Sequence, residues 1–400
     1  MINSNLVWLL SKYIHKKDWL SFLKLNITFY DFNGINLSKY TNFIIRWAAE
    51  YGREKVVEIL LQDPRVDPSE LNNNNVLLKC AANGHEKVVE LILQDPRMDP
   101  SVWENDAIIL AASHGYEKVV ELLLQEQRVD SSVGNNLSIR YAAKNGHEKV
   151  VEILLQDSRV DPSVKHNDAI RDAAKNGYIR VIELLLQDSR VEPSGDINAI
   201  MLAAENGHEK ITELLLQDLR VNSSDVGIDV IIYAAWAGCV KVLELLLQDP
   251  RADPSDINSI SIRYAAKNGQ EKVIELLLQD HRVNPSANDN DAIIYAAWAG
   301  CVKVVKLLLQ NPRVDPSDLN NLSIKYAAKN KHDKVVELLL QDPRVDPSAN
   351  DNYAIRHSVN NGHEKVVELL LQDSRVELPD AVDEKMEEDF YLKILEYNDL

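Results

Sequence analysis

"YAAKNGHEKVVEILLQDSRVDPS", Tyr141 to Ser163, decides the fold of this chain. Its glycine, Gly146, recurs at Gly52, Gly84, Gly115, Gly177, Gly207, Gly238, Gly269, Gly300 and Gly362, and Lys331 fills the slot in the one copy without it. Consecutive spacings are 32, 31, 31, 31 and 30, then 31 throughout, which makes eleven copies across residues 39–376. A fixed period of this size marks a repeat array, so a length of 400 residues does not imply several globular domains.

Each copy reads as two short helices. The first, as in "NDAIIYAAWA" from Asn290, carries small alanines where a second helix must approach closely, and it ends at the glycine, which suits a left-handed C-terminal cap. The second, "HEKVVEILLQD" from His147, sets valines and leucines on one broad stripe and Glu148, Lys149, Glu152 and Gln156 on the other. Proline-rich linkers of the "DPRVDPS" kind then stop it, and they hold thirteen of the fourteen prolines. Neither helix can bury its stripe alone. Stacked copies bury it jointly, so the sequence predicts an all-α solenoid of eleven helix-turn-helix repeats.

Composition narrows the function classes. The chain is 45% hydrophobic and 26% charged, with a formal net charge of −18. Such acidity disfavours nucleic acid as the main partner, because phosphates are held by basic surfaces. No run of eighteen apolar residues spans a membrane, and the start "MINSNLVWLLSKYIHKK" lacks the basic lead and cleavage site of a secretory signal. Three scattered cysteines, Cys80, Cys239 and Cys301, fit a reducing compartment. An intracellular, cytoplasmic, monomeric protein is expected.

The "AA..GH..VV.LLL" pattern, repeated eleven times over about 85% of the chain, resembles the ankyrin repeat family. The resemblance implies a non-enzymatic scaffold that binds protein partners through a concave surface of first helices and turns. Two features depart from the family. The period is 31 rather than about 33, and "NDAI" or "NLSI" replaces the T-P-L-H opening. The "DPRVDPS" linker replaces G-A-D-V-N, which predicts shorter, stiffer turns. In this asparagine-rich style the array looks like those encoded by large DNA viruses of amoebae, which would place it in a host cytoplasm.

The two ends differ from the repeats. Residues 1–38 contain "YIHKKDWLSFLKLNITFYD", Tyr13 to Asp31, which resembles the core of an F-box through Trp19, Leu20, Phe22 and Leu23, without the family's leucine–proline opening. That resemblance implies docking to the adaptor of a cullin-type ubiquitin ligase. A helical cap shielding the first repeat explains the same residues, and a terminal repeat needs such a shield in any case. Residues 377–400 are strongly acidic, and Met386, Phe390 and Ile394 recur every four residues, which predicts a capping helix.

No catalytic constellation emerges. Ten of the fourteen glycines occupy the turns and the rest are isolated, so no phosphate-binding loop can be assembled. His85, His147, His208 and His363 repeat with the copy, about 10 Å apart in adjacent repeats, too far to share a zinc ion. Each is expected to bond backbone across the turn. Cys239 and Cys301 replace that histidine two copies apart, and neither has a base beside it. No metal, cofactor or enzymatic activity is expected.

Positions that vary between copies are free to recognise a partner. One variable set is the linker tip after "PS", such as "VWEND", "VGNN" and "ANDND"; the other flanks the alanine pair of the first helix, four residues apart and hence on one face. It reads Arg140/Lys144, Arg171/Lys175, Met201/Glu205, Ile232/Trp236, Arg263/Lys267, Ile294/Trp298, Lys325/Lys329 and Arg356/Asn360. Trp236 and Trp298 stand in the same twelve residues, "IIYAAWAGCVKV", with Tyr233 and Tyr295 before them. Tryptophan, tyrosine and arginine carry most energy at interfaces, so this ridge suits an acidic or amphipathic partner segment. The same tryptophans could instead wedge between copies as packing.

Overall fold

The computed structural model describes residues 37–377, apart from 64–65, 67, 69–75, 195–198 and 256–258. Among the described residues there are twenty-two helices and no strand, arranged as eleven successive pairs. The fold is the expected all-α solenoid. Trp19, Leu20, Phe22 and Leu23 lie outside the described residues, as does all of the acidic segment beyond Glu377.

The described residues fall into two compact bodies, one within Met1–Ala173 and Arg180–Val191, the other within Ala174–Ile179 and Glu192–Leu400. In the first body the pairs are Leu37–Glu50 with Glu54–Leu61, Val76–Ala82 with Glu86–Leu93, Val102–His114 with Glu117–Leu124, and Val133–Asn145 with Glu148–Leu155, followed by most of Val164–Asn176 with Ile179–Leu186. The second body holds Ala199–Glu205 with Glu209–Gln217, Ile228–Ala237 with Val240–Gln248, Ile260–Lys267 with Glu271–Gln279, Ala287–Trp298 with Val302–Leu309, Asp318–Lys329 with Asp333–Leu340, and Ala349–Asn360 with Glu364–Leu370. Within each body, first helices pack on first helices and second helices on second helices. The stripe read from the sequence is the core: Ala142, Ala143, Val150, Val151 and Leu154 are all buried.

Three polar devices join one repeat to the next. The first explains the glycine and the histidine together. Gly115 caps its helix at φ +78°, and a β-carbon there would lie 2.5 Å from Nδ1 of His147 in the following repeat. His147 Nε2 in turn donates to the carbonyl of Ser113, at 2.9 Å. His85, His208, His332 and His363 make the same bond to Glu50, Lys175, Trp298 and Lys329. The imidazole thus bonds the preceding repeat rather than its own turn. A carbonyl only accepts, so Nε2 carries the hydrogen.

The second device is the Asp-x-Arg of the linker. Arg190 grips Asp188 with Nε and Nη2, and its Nη1 donates to Val160 O of the repeat before it, at 2.9 Å. Arg251 and Arg344 reach Val221 and Val314 in the same way, and Arg313, which follows Asn311 in place of the aspartate, still reaches Val283. The linker does more than stop a helix. It ties a carbonyl of the neighbouring linker that would otherwise lack a partner.

The third device corrects the reading of the linker tip as variable. In six repeats three residues just inside the start of the first helix turn left-handed and kink it, as at Gly134, Asn135 and Asn136 or at Asn288, Asp289 and Asn290. The last of the three is always asparagine: Asn105, Asn136, Asn167, Asn290, Asn321 and Asn352. Asparagine tolerates this conformation better than other residues with a β-carbon. Its Oδ1 accepts the backbone N–H of the next linker, at 2.8 Å from Asn136 to Asp161 and 2.7 Å from Asn321 to Asp346. Asn136 and Asn321 are buried. These asparagines belong to the scaffold.

Candidate partner-binding surface

The alanine pair fixes the orientation of each first helix. Ala234 with Ala235 and Ala296 with Ala297 are fully buried against neighbouring helices, so the residue after each pair points away from the core. There stand Trp236, 47% exposed, and Trp298, 44% exposed. Tyr233 is exposed on the helix of Trp236, Tyr264 on the first helix of the repeat between the two tryptophans, and Tyr295 is half-buried on the helix of Trp298. In the second body the exposed aromatic rings therefore line successive first helices.

Cations sit between the rings. Lys267 Nζ lies 5.6 Å from the Trp298 ring centre and 6.0 Å from that of Tyr295, within cation–π range. Arg263 stacks its guanidinium 5.6 Å from the same tyrosine. Lys267 and Lys329 are exposed, and neither has a carboxylate in ion-pairing reach among the described residues. On the second helices, by contrast, Lys303 pairs with Glu271 at 2.7 Å and Lys241 with Glu209 at 3.3 Å.

Several residues of the expected ridge serve another purpose. Arg263 Nη2 meets Asp291 of the next repeat at 2.8 Å, and Arg140 Nη2 meets Asp168 of the next repeat at 2.6 Å. Both arginines are half-buried. Lys325 is buried at 6% exposure, not surface-borne, and its Nζ lies 5.7 Å from the ring centre of Tyr353. Burial pushes its pKa down. Tyr353 holds the register that aspartate fills at Asp168 and Asp291, so this cation faces a ring instead of a carboxylate. Lys144, by contrast, is exposed.

The sequence reading passed over the carboxylates Asp168 and Asp291. Each lies 28 residues beyond its arginine and shows up only when consecutive copies are compared pairwise. Trp103, in the variable tip "VWEND", is exposed on a left-handed turn in the first body.

Nothing here favours a nucleophile. Cys80 is buried, Cys239 and Cys301 are half-buried, and burial raises the pKa of all three thiols. Thiolate is the reactive form, so these sites disfavour it. Cys239 and Cys301 stand in the histidine slot, with Sγ 3.9 Å from Glu205 O and Lys267 O, the carbonyls that histidine binds elsewhere. Among the described residues no group of three His, Cys, Asp or Glu could hold a metal ion, and no helix is long and apolar enough to cross a membrane.

Comparison with known families agrees with this architecture. A family model described as ankyrin repeats in three copies matches residues 77–168, 170–261 and 254–320. A second, described as ankyrin repeats in many copies, matches residues 45–93. Comparison with curated proteins gives no match.

Proposed function

The chain belongs to the ankyrin repeat family, and on that premise we propose that it is a non-enzymatic scaffold gripping a protein partner through its first-helix and turn surface. Trp236, Trp298, Tyr233, Lys267 and Lys329 supply the contact, with Tyr295 and Arg263 supporting Lys267 and Trp298 from beneath. Lys144 holds the equivalent first-helix register in the first body. Arg140 and Lys325 act through packing. One observation carries the reading: two tryptophans stay about half exposed, and one of them, Trp298, lies beside Lys267, a cation that pairs with no carboxylate among the described residues. Exposing large aromatic rings is costly unless something covers them, and interfaces draw most of their energy from such rings.

Affinity capture with mass spectrometry tests it. The wild-type chain and the W236A/W298A variant are compared, with E148A/K149A on a second helix as control. Loss of the same captured protein in the first variant and its retention in the control is expected. Equal capture by all three defeats the reading.

A second reading rests on Trp19, Leu20, Phe22 and Leu23, whose pattern is similar to an F-box. The same scaffold then selects targets for a cullin-type ubiquitin ligase. Deleting residues 1–35 should abolish co-purification with the cullin adaptor. Adaptor binding that survives the deletion, or is absent before it, ends this reading.

A further inference from the structure

We propose that the acidic segment between Asp380 and Asp399 is itself a ligand of the first-helix ridge, binding at Lys267, Trp298 and Lys329 of the same chain. This rests on the reading of that ridge as a binding surface and adds its regulation: the segment and an external partner compete for one place.

The segment has the chemistry that the ridge lacks. "DAVDEKMEEDFYLKILEYND" offers eight carboxylates against two lysines, together with Met386, Phe390, Tyr391, Ile394 and Leu395. On the ridge, Lys267 and Lys329 are exposed cations without a carboxylate among the described residues, and Trp236, Tyr264 and Trp298 are exposed rings. Opposite charges steer such surfaces together, and the apolar side chains have rings to cover. In a chain of net charge −18, most other surface repels the segment.

Position also suits the contact. The backbone N–H of Glu377 donates to Asn352 Oδ1 at 3.1 Å, so the chain leaves the last repeat beside the tip of its first helix. Lys329 belongs to the preceding repeat, Trp298 to the one before, and Lys267 to the third back. With helices packed 8–10 Å apart, Lys267 lies about 30 Å away. Ten extended residues span up to about 33 Å, enough to bring Glu387 there.

Zero-length carbodiimide coupling of the full chain at low salt tests the contact, using a mixture of 15N-labelled and unlabelled protein read by mass spectrometry. Expected are links from Lys267 or Lys329 to Glu384, Glu387, Glu388 or Asp389 within chains of one label. No such link, while the Lys303–Glu271 pair couples normally, overturns the proposal. Links only between differently labelled chains overturn it in favour of a second copy. The full-length variant E387K/E388K/D389K gives an independent measure. Acetylation of Lys267 and Lys329 should become roughly fivefold faster, the scale of an exposed ion pair lost, and an unchanged rate overturns the contact. Links that form while W236A/W298A leaves partner capture intact would sink the partner reading alone. Capture lost without any link would sink only the intramolecular contact.

Discussion

The guanidinium of Arg263 forms an ion pair with Asp291 Oδ2 at 2.8 Å, pinning the first helix of one repeat to that of the next. The Tyr295 ring packs against the same guanidinium at 5.6 Å, leaving Arg263 and Asp291 only 23% and 14% exposed as side chains. At neighbouring boundaries the same register holds apolar pairs, Ile232 with Ile260 and Ile294 with Leu322. Cation meets anion, or apolar meets apolar. Pairing of this kind helps to keep successive repeats in order.

Replacing one member should therefore hurt more than replacing both. Arg263→Leu takes the paired cation from a half-buried carboxylate, which keeps the Asn288 amide as its donor, and should cost about 2 kcal/mol in urea unfolding. R263L/D291L restores the pairing found at the adjacent boundaries and should recover all but about 1 kcal/mol. Additive losses in this double-mutant cycle would show that the two residues are not coupled.

Lys331 occupies the turn at φ +63°, where ten other repeats have glycine. A β-carbon in that region costs about 1–2 kcal/mol, partly offset because glycine leaves the unfolded chain more freedom. Lys331→Gly should raise the melting temperature by about 2 °C. An unchanged or lower value would mean that the lysine side chain compensates the strain.

Cys239 and Cys301 leave the carbonyls of Glu205 and Lys267 with a weak, distant thiol in place of an imidazole donor. Cys239→His and Cys301→His should each add about 1 kcal/mol, the usual net worth of a hydrogen bond. Protection of the adjoining amides in hydrogen exchange should rise with it. Loss of stability instead would show that these slots do not admit the ring.

Acid should loosen the array through its linkers. Hydrogen bonding to Arg159 holds the Asp157 carboxyl down at about 2, and Arg partners likewise lower Asp95, Asp218, Asp249, Asp280, Asp342 and Asp373. Unfolded aspartate titrates near 3.9, so between that value and about 2 the unfolded chain binds more protons than the folded one. Stability is then full above about pH 5 and falls as pH drops toward 2. Urea midpoints measured across that range should show this slope, and Arg159→Gln should flatten it. A flat profile in the wild type would contradict the clamp.

The period, the paired helices and the buried stripe were all legible, because the spacing of Gly146 and its equivalents sets the unit and the apolar positions repeat within it. The tip was misread for a physical reason. Its asparagine recurs at a fixed register, but its neighbours differ from copy to copy, and only the backbone shows that all six take the left-handed turn. Arg140 and Arg263 looked free because their carboxylates lie in the next copy. Lys325 gave no sign of burial, since depth depends on the Tyr353 ring stacked over it. The division into two bodies falls where the spacing drops to 30, between Gly177 and Gly207, a one-residue change too slight to read as a boundary.

Thermal melting of W236A/W298A beside R263L bears most directly on the account, because it separates surface from scaffold without needing a partner. If the tryptophans are there to be bound, the double variant should stay within about 1 kcal/mol of wild type, as surface substitutions do, while Arg263→Leu melts clearly lower. A double variant that melts below R263L would make Trp236 and Trp298 part of the packing, and the binding ridge would fall with them.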